Sequence, residues 1–241
     1  MYVTFTILNY PKYFFFAGFF SMIFFRLALF KTRKKSFTKL MGTGKNGSFD
    51  LMPDLCQWTV MEFKDDSPEI FNDTDPTELL KKLHGNFIAG WVRFFKCETG
   101  LFIMKVTEGH GAWDRNPMFQ KINKSVEEFQ PIAVLTRATI RFSKISAFWK
   151  QVPLVNKKIA GAKGLLFSIG TGEAPVVRQA TFSVWKSRQS MKDYAYNDEE
   201  HLQAIRKTRE EKWYTEELFL RLKIILVSGT VKGKPLSSLT E

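Results

Sequence analysis

Two short blocks recur in the same order along the chain, and this internal repeat constrains the fold more than any other feature. Met41-Gly42-Thr43-Gly44 returns as Ile169-Gly170-Thr171-Gly172, and Gln57-Trp58-Thr59-Val60-Met61-Glu62-Phe63 returns as Gln179-Ala180-Thr181-Phe182-Ser183-Val184-Trp185. Gln57 follows Gly42 by 15 residues whereas Gln179 follows Gly170 by nine, so the first copy carries six extra residues. The Gly, Asn and Asp content of Lys45 to Asp54 places that insertion in a hairpin loop.

Around these anchors each half shows the same order of elements. Val3 to Leu8 and Val134 to Ile140 are β-branched runs that read as first strands. Helical segments follow at Tyr13 to Phe30 and Ile145 to Ala160, with Pro153 expected to bend or split the second. A strand then enters the Gly-Thr-Gly turn and another leaves it. Polar helices are expected over Thr77 to Phe95 and Glu199 to Leu218, and closing strands over Leu101 to Thr107 and Leu222 to Val227. The order βαββαβ is the ferredoxin-like unit, and two copies can bury their open faces together as a barrel-like sandwich. The expectation is an α+β chain forming one domain over 1–241, with halves 1–115 and 131–232 joined by a linker at 116–130. Neither Gly-Thr-Gly completes GxGxxG or a P-loop, so both are read as tight-turn glycines and no nucleotide site is assigned.

Composition narrows the function. The 241 residues carry a formal net charge of +12, which bears on anionic partners and solubility, not on fold. Cys56 and Cys97 have neither CxxC spacing nor a His/Cys cluster, which argues against a disulfide scaffold or a structural zinc. No RNP, KH or helix-turn-helix pattern supports nucleic-acid binding. Tyr13 to Phe25 holds thirteen uncharged residues, short of a bilayer span, and no basic leader precedes it. The basic run Lys31 to Lys35 directly follows this Phe-rich segment, as in an amphipathic anchor on anionic lipid. The expected location is cytoplasmic, with peripheral attachment to a membrane surface.

On helical geometry, Leu202, Ile205 and Trp213 define a core-directed side of the 201–222 segment. Gln203, Lys207, Glu210 and Glu211 then face solvent. His201 and Arg209 flank Ile205 on the inner side and Arg206 borders it. Inward charge needs partners, either carboxylates such as Glu173 or a polar cavity. His84, before Gly85 at a helix end, and His110, in a Gly-flanked loop, read as surface residues. No Ser/His/Asp or Cys/His set can be assembled, so any hard chemistry is expected from a cofactor.

Several of these stretches together resemble a known family. They are Val134-Leu135-Thr136-Arg137-Ala138-Thr139-Ile140, the block Gly164 to Pro175 containing Ile169-Gly170-Thr171-Gly172-Glu173-Ala174-Pro175, the run Gln179 to Trp185, and His201 to Phe219. The chain resembles the spheroidene monooxygenase family of carotenoid biosynthesis, densely over residues 131 to 225 and more thinly before, where Gly111-Ala112-Trp113 is the clearest echo. The resemblance implies a fold like the dimeric α+β barrels and a haem-dependent monooxygenase. Such an enzyme inserts oxygen from O2 near an end of a linear carotenoid, giving a hydroxyl or ketone, with electrons from a donor of unassigned identity. It also implies a lipophilic substrate taken from a membrane. His201 would ligate the haem iron, and Arg137, Arg206 and Arg209 match family positions as catalytic candidates. Two alternatives stay open: a haem enzyme of the same barrel class acting on another substrate by dehydration or degradation, and a non-catalytic member that binds a hydrophobic ligand.

Overall fold

The computed structural model describes residues 1–30, 36–48, 50–65, 75–122, 130–174, 176–196, 208 and 210–239. Of the expected features, Lys31 to Lys35, residues 123–129 of the linker, His201, Arg206 and Arg209 lie outside the described residues.

The first repeat runs β1 (Tyr2–Asn9), α1 (Phe15–Ala28), β2 (Phe37–Gly44), β3 (Pro53–Lys64), α2 (Pro76–Phe94) and β4 (Glu98–Gly111). The second runs β5 (Ile132–Ile140), α3 (Ile145–Ala160), β6 (Leu165–Ala174), β7 (Arg178–Trp185), α4 (Arg188–Tyr196) and β8 (Tyr214–Val231), with a short β9 (Lys234–Pro235) after it. Strands lie in the order β4-β1-β3-β2 in the first repeat and β8-β5-β7-β6 in the second. Both are the ferredoxin-like order, as the repeat predicted.

Three expectations are corrected. Tyr214 to Leu218 is strand, not the end of a helix, because Leu218, Leu220 and Leu222 are buried at every second position. Residues alternating in this way fit a sheet face, and α4 is a separate, earlier helix. α3 runs through Pro153 as one element. The Gly-Thr-Gly glycines lie within β2 and β6 and none has a positive φ. They permit close approach instead: a Cβ on Gly44 would meet Ser48 O at 2.4 Å, and one on Gly172 would meet Arg178 O at 2.7 Å.

Strand registers also revise how the repeats match. In the first repeat Tyr10 N donates to Cys56 O and Phe14 N to Pro11 O, as Ile140 N does to Val177 O and Lys144 N to Arg141 O in the second, so Tyr10 matches Ile140 and Cys56 matches Val177. Pairing Gln57 with Gln179 is therefore out by one residue, and a one-residue slip sends every side chain to the wrong face. On the corrected register Gln57 matches Arg178 and Trp58 matches Gln179. Trp58 pairs with Leu8, and Gln179 pairs with Ala138, so Leu8 matches Ala138.

The chain packs as two compact units, one formed by Met1–Thr43, Asp54–Lys105 and Ile224–Glu241, the other by Gly44–Pro53 and Val106–Lys223. In the first, α1 and α2 cover one face of the sheet. Leu8, Tyr10, Val60, Leu101 and Ile103 from the strands pack there against Ala17, Phe25, Leu79, Leu83, Ile88 and Val92. α2 starts on Asp75, whose carboxylate accepts from Glu78 N at 3.1 Å, with Pro76 at its first position. It is interrupted at Gly85, whose φ of 85° suits glycine.

His84, just before that break, is buried and not on the surface. Its Nε2 lies 2.8 Å from Thr6 Oγ1, and burial holds its pKa down at about 4. The buried Glu62 carboxylate nearby pulls the other way, itself paired with Lys64 at 3.1 Å.

Candidate active site

The second unit has a cleft of about 370 Å³ where the first has packed side chains. Its floor is the sheet. Thr136 and Ala138 of β5, Thr181 of β7 and Phe219 of β8 face into it, since alternate residues of a strand share a face. Its roof is α3, through Phe148, Gln151, Val152 and Val155. The spacing i, i+3, i+4, i+7 is one stripe of a helix. Trp213, Tyr214, Thr208 and the exposed His110 complete the wall.

The aromatic wall is held from several directions. Trp213 N donates to Thr208 O at 2.9 Å and Arg141 N to Trp213 O at 2.8 Å. The indole of Trp213 donates to Glu211 at 3.0 Å, and Glu211 is in turn paired with Lys144 at 2.8 Å. Phe148 meets Trp213 and Tyr214 edge-on, at 6.4 and 6.2 Å between ring centroids. His110 stacks on Phe219 at 5.3 Å. Burial, with the Glu217 charge adding to it, pushes the Tyr214 phenol up to about 12, so this hydroxyl keeps its proton at neutral pH.

Arg137 borders the cleft along β5, but its guanidinium lies on the opposite face of the sheet. There its buried side chain contacts Glu216, reaches Glu173 at 3.6 Å and Asp114 at 3.7 Å, and sits 5.5 Å over the Trp113 ring. Trp113 Nε1 donates to Glu173 at 2.7 Å. Glu216 accepts from Asp114 N at 3.0 Å and Arg115 N at 2.9 Å. Burial alone would raise the Glu216 pKa; these two N–H groups and the Arg137 charge outweigh it and hold the carboxyl below its usual range.

Glu173, expected to partner Arg206 or Arg209, pairs in the structure with Arg137 and Arg178. Of the three histidines, His110 lines the cleft, His84 is buried in the other unit against Thr6, and His201 is outside the described residues. Sequence reasoning did not single out Phe148, Gln151 or Tyr214, although the stripe on α3 was available to it.

Architecture and site together define an α+β protein of tandem ferredoxin-like repeats with an apolar cleft in its second unit. No family model matches the chain. Among solved structures it is similar to an aldoxime dehydratase in complex with butyraldoxime, with a TM-score of 0.53 and 9% identity, covering 92% of this chain and 79% of that one. That likeness shows the α+β fold expected from the repeats. Spheroidene monooxygenase of Rhodobacter capsulatus is 32% identical over 219 residues, 90% of this chain and 87% of that protein. Spheroidene monooxygenase of Cereibacter sphaeroides is 30% identical over 210 residues, 87% of this chain and 62% of that protein. The chain belongs to the spheroidene monooxygenase family, and it is a monooxygenase.

Proposed function

We propose that this monooxygenase acts on a linear carotenoid, hydroxylating or ketolating it near one end, and that the cleft of the second unit binds haem. The observation that carries the proposal is the cleft itself. Aromatic and aliphatic walls with a few polar groups suit both a porphyrin and a polyene. The donor set also fits, since haem needs one axial imidazole and not a cluster of protein ligands. Thr208 lines the cleft, and His201 precedes it by seven residues, so His201 is the proposed iron ligand. Arg206 and Arg209, permanently cationic, are proposed to hold the propionates.

When bound, haem supplies the iron at which O2 is activated. The chain's own side chains do the rest. Phe148, Trp213 and Phe219 exclude water, and Gln151 offers an amide to orient a polar group. Tyr214 holds its proton on Oη, available as a hydrogen-bond donor. One oxygen atom enters a substrate C–H bond and the other leaves as water, with two electrons from a separate donor. A membrane-dissolved substrate favours a cytoplasmic protein attached peripherally to the bilayer; no helix among the described residues is long and apolar enough to cross one.

Titrating the purified chain with haem tests the cofactor. His201→Ala should abolish or shift the Soret band, whereas His84→Ala and His110→Ala should leave it largely intact. A normal spectrum in His201→Ala ends that assignment, and loss in His110→Ala transfers it. Expression in carotenoid-producing cells tests the substrate: an unchanged pigment profile beside full haem loading favours another substrate, and no haem uptake at all ends the haem assignment.

A further inference from the structure

We propose that α1 and the second half of α2 form one surface that docks on an anionic lipid bilayer. This deepens the membrane part of the function proposed above and rests on it.

α1 buries Ala17, Gly18, Ser21 and Phe25 against the first unit. Its other side carries Phe15, Phe16, Phe19, Phe20, Ile23 and Phe24, each between 42 and 57% exposed. α2 adds Phe87 at 51% and Phe94 at 74%. The two sets are continuous. The Trp91 ring lies 5.4 Å from Phe24 and 6.1 Å from Phe87, and Phe95 lies 5.2 Å from Phe14 and 4.9 Å from Phe94. An apolar surface of this extent on a folded unit marks an interaction site.

Charge identifies the occupant. Residues 1–49 contain no Asp or Glu, against Lys12, Arg26, Lys31, Arg33, Lys34, Lys35, Lys39 and Lys45. Gly85 to Lys96, the second half of α2 and the two residues after it, is likewise free of acids and contributes Arg93 and Lys96, both exposed. A second copy docked face to face would set these cations against their equivalents. An anionic headgroup layer neutralises them while the rings enter the acyl boundary. At 14 residues α1 is about 21 Å long, a length suited to lying along the interface.

The test is flotation of the full chain with vesicles of phosphatidylcholine alone or with 30% phosphatidylglycerol. Wild type should bind the anionic vesicles at least ~10-fold more tightly than the neutral ones, and salt should weaken binding. Phe19→Ser/Phe20→Ser/Phe94→Ser should lose at least ~10-fold in binding to both, and Lys12→Glu/Arg26→Glu should lose the anionic preference. All five positions are exposed, and thermal melting checks that each variant folds. Wild type left unbound by both vesicles overturns the proposal, as does a serine variant that binds like wild type. So does a wild-type dimer that the serine variant splits without change in lipid binding. Haem uptake by the serine variant should match wild type, so failure here and failure of the cofactor assignment are separately visible.

Discussion

Leu8 and Trp58 in the first repeat stand where Ala138 and Gln179 stand in the second. All four lie on the face that the helices cover. In the first unit the large pair closes the space: Leu8 is buried and Trp58 packs against the same apolar cluster. In the second unit the smaller pair leaves the cleft under α3. One topology thus supplies a packed support and a binding site, and the difference is carried by side-chain volume at two matched positions. The sealed repeat also carries the exposed aromatic face of α1, whereas α3 at the same place in the second repeat turns its apolar stripe inward.

The comparison can be broken most forcefully behind the cleft. Arg137→Ala removes the buried cation shared by Glu216, Glu173 and Asp114, leaving Glu216 without its ion pair and the other two to Arg178 alone. The expected cost is about 3–5 kcal/mol, read as a lower denaturation midpoint. A loss below about 1 kcal/mol would show that the guanidinium is dispensable to the sheet and would reopen a direct role in chemistry.

Exchanging the matched residues gives the next largest effect. Leu8→Ala should cost about 2–5 kcal/mol, because it leaves a cavity in a closed core. Ala138→Leu should change stability by less than about 1 kcal/mol, since the added methyl groups enter open space. Equal costs at the two positions would contradict the contrast between the repeats.

The smallest effect is on pH dependence. His84 has a folded pKa of about 4, below the 6.5 of an unfolded histidine, with burial the main cause. The unfolded chain therefore binds more protons between those values. The stability His84 contributes is complete above pH 6.5 and is lost as pH falls toward 4, by about 1 kcal/mol per pH unit. Comparing the pH dependence of unfolding in wild type and His84→Gln isolates this slope. Parallel curves would place the acid sensitivity elsewhere.

Much of the fold was legible because its signals are local. The repeated Gly-Thr-Gly, the β-branched runs and the helical segments gave the order βαββαβ twice, and Ile145 to Ala160 was bounded to the residue. The errors came where two periods compete. Glu210 to Leu222 carries charges at helical spacing, yet its leucines alternate, and burial on a sheet face decided for strand. His84 was read as a helix end from Gly85, but the chain resumes its helix beyond that glycine and keeps the imidazole inside.

The site was harder to read, since a cleft made by small residues is visible only by comparison with the filled repeat. Matching Gln57 to Gln179 placed the two sheets out of phase and hid that comparison. Arg137 was recognisable as an unusual strand residue, but its face of the sheet follows from strand register, which a lone sequence does not display.

The central claim is that the volume missing from the second repeat is the binding site. Ala138→Leu/Gln179→Trp restores the first repeat's residues there and fills the cleft. Spectroscopic titration with haem, run beside a thermal melt, should show a double variant that folds like wild type yet binds haem at least ~10-fold more weakly, the effect of about 1.4 kcal/mol. A folded double variant with wild-type haem affinity and an unchanged Soret band would contradict the account.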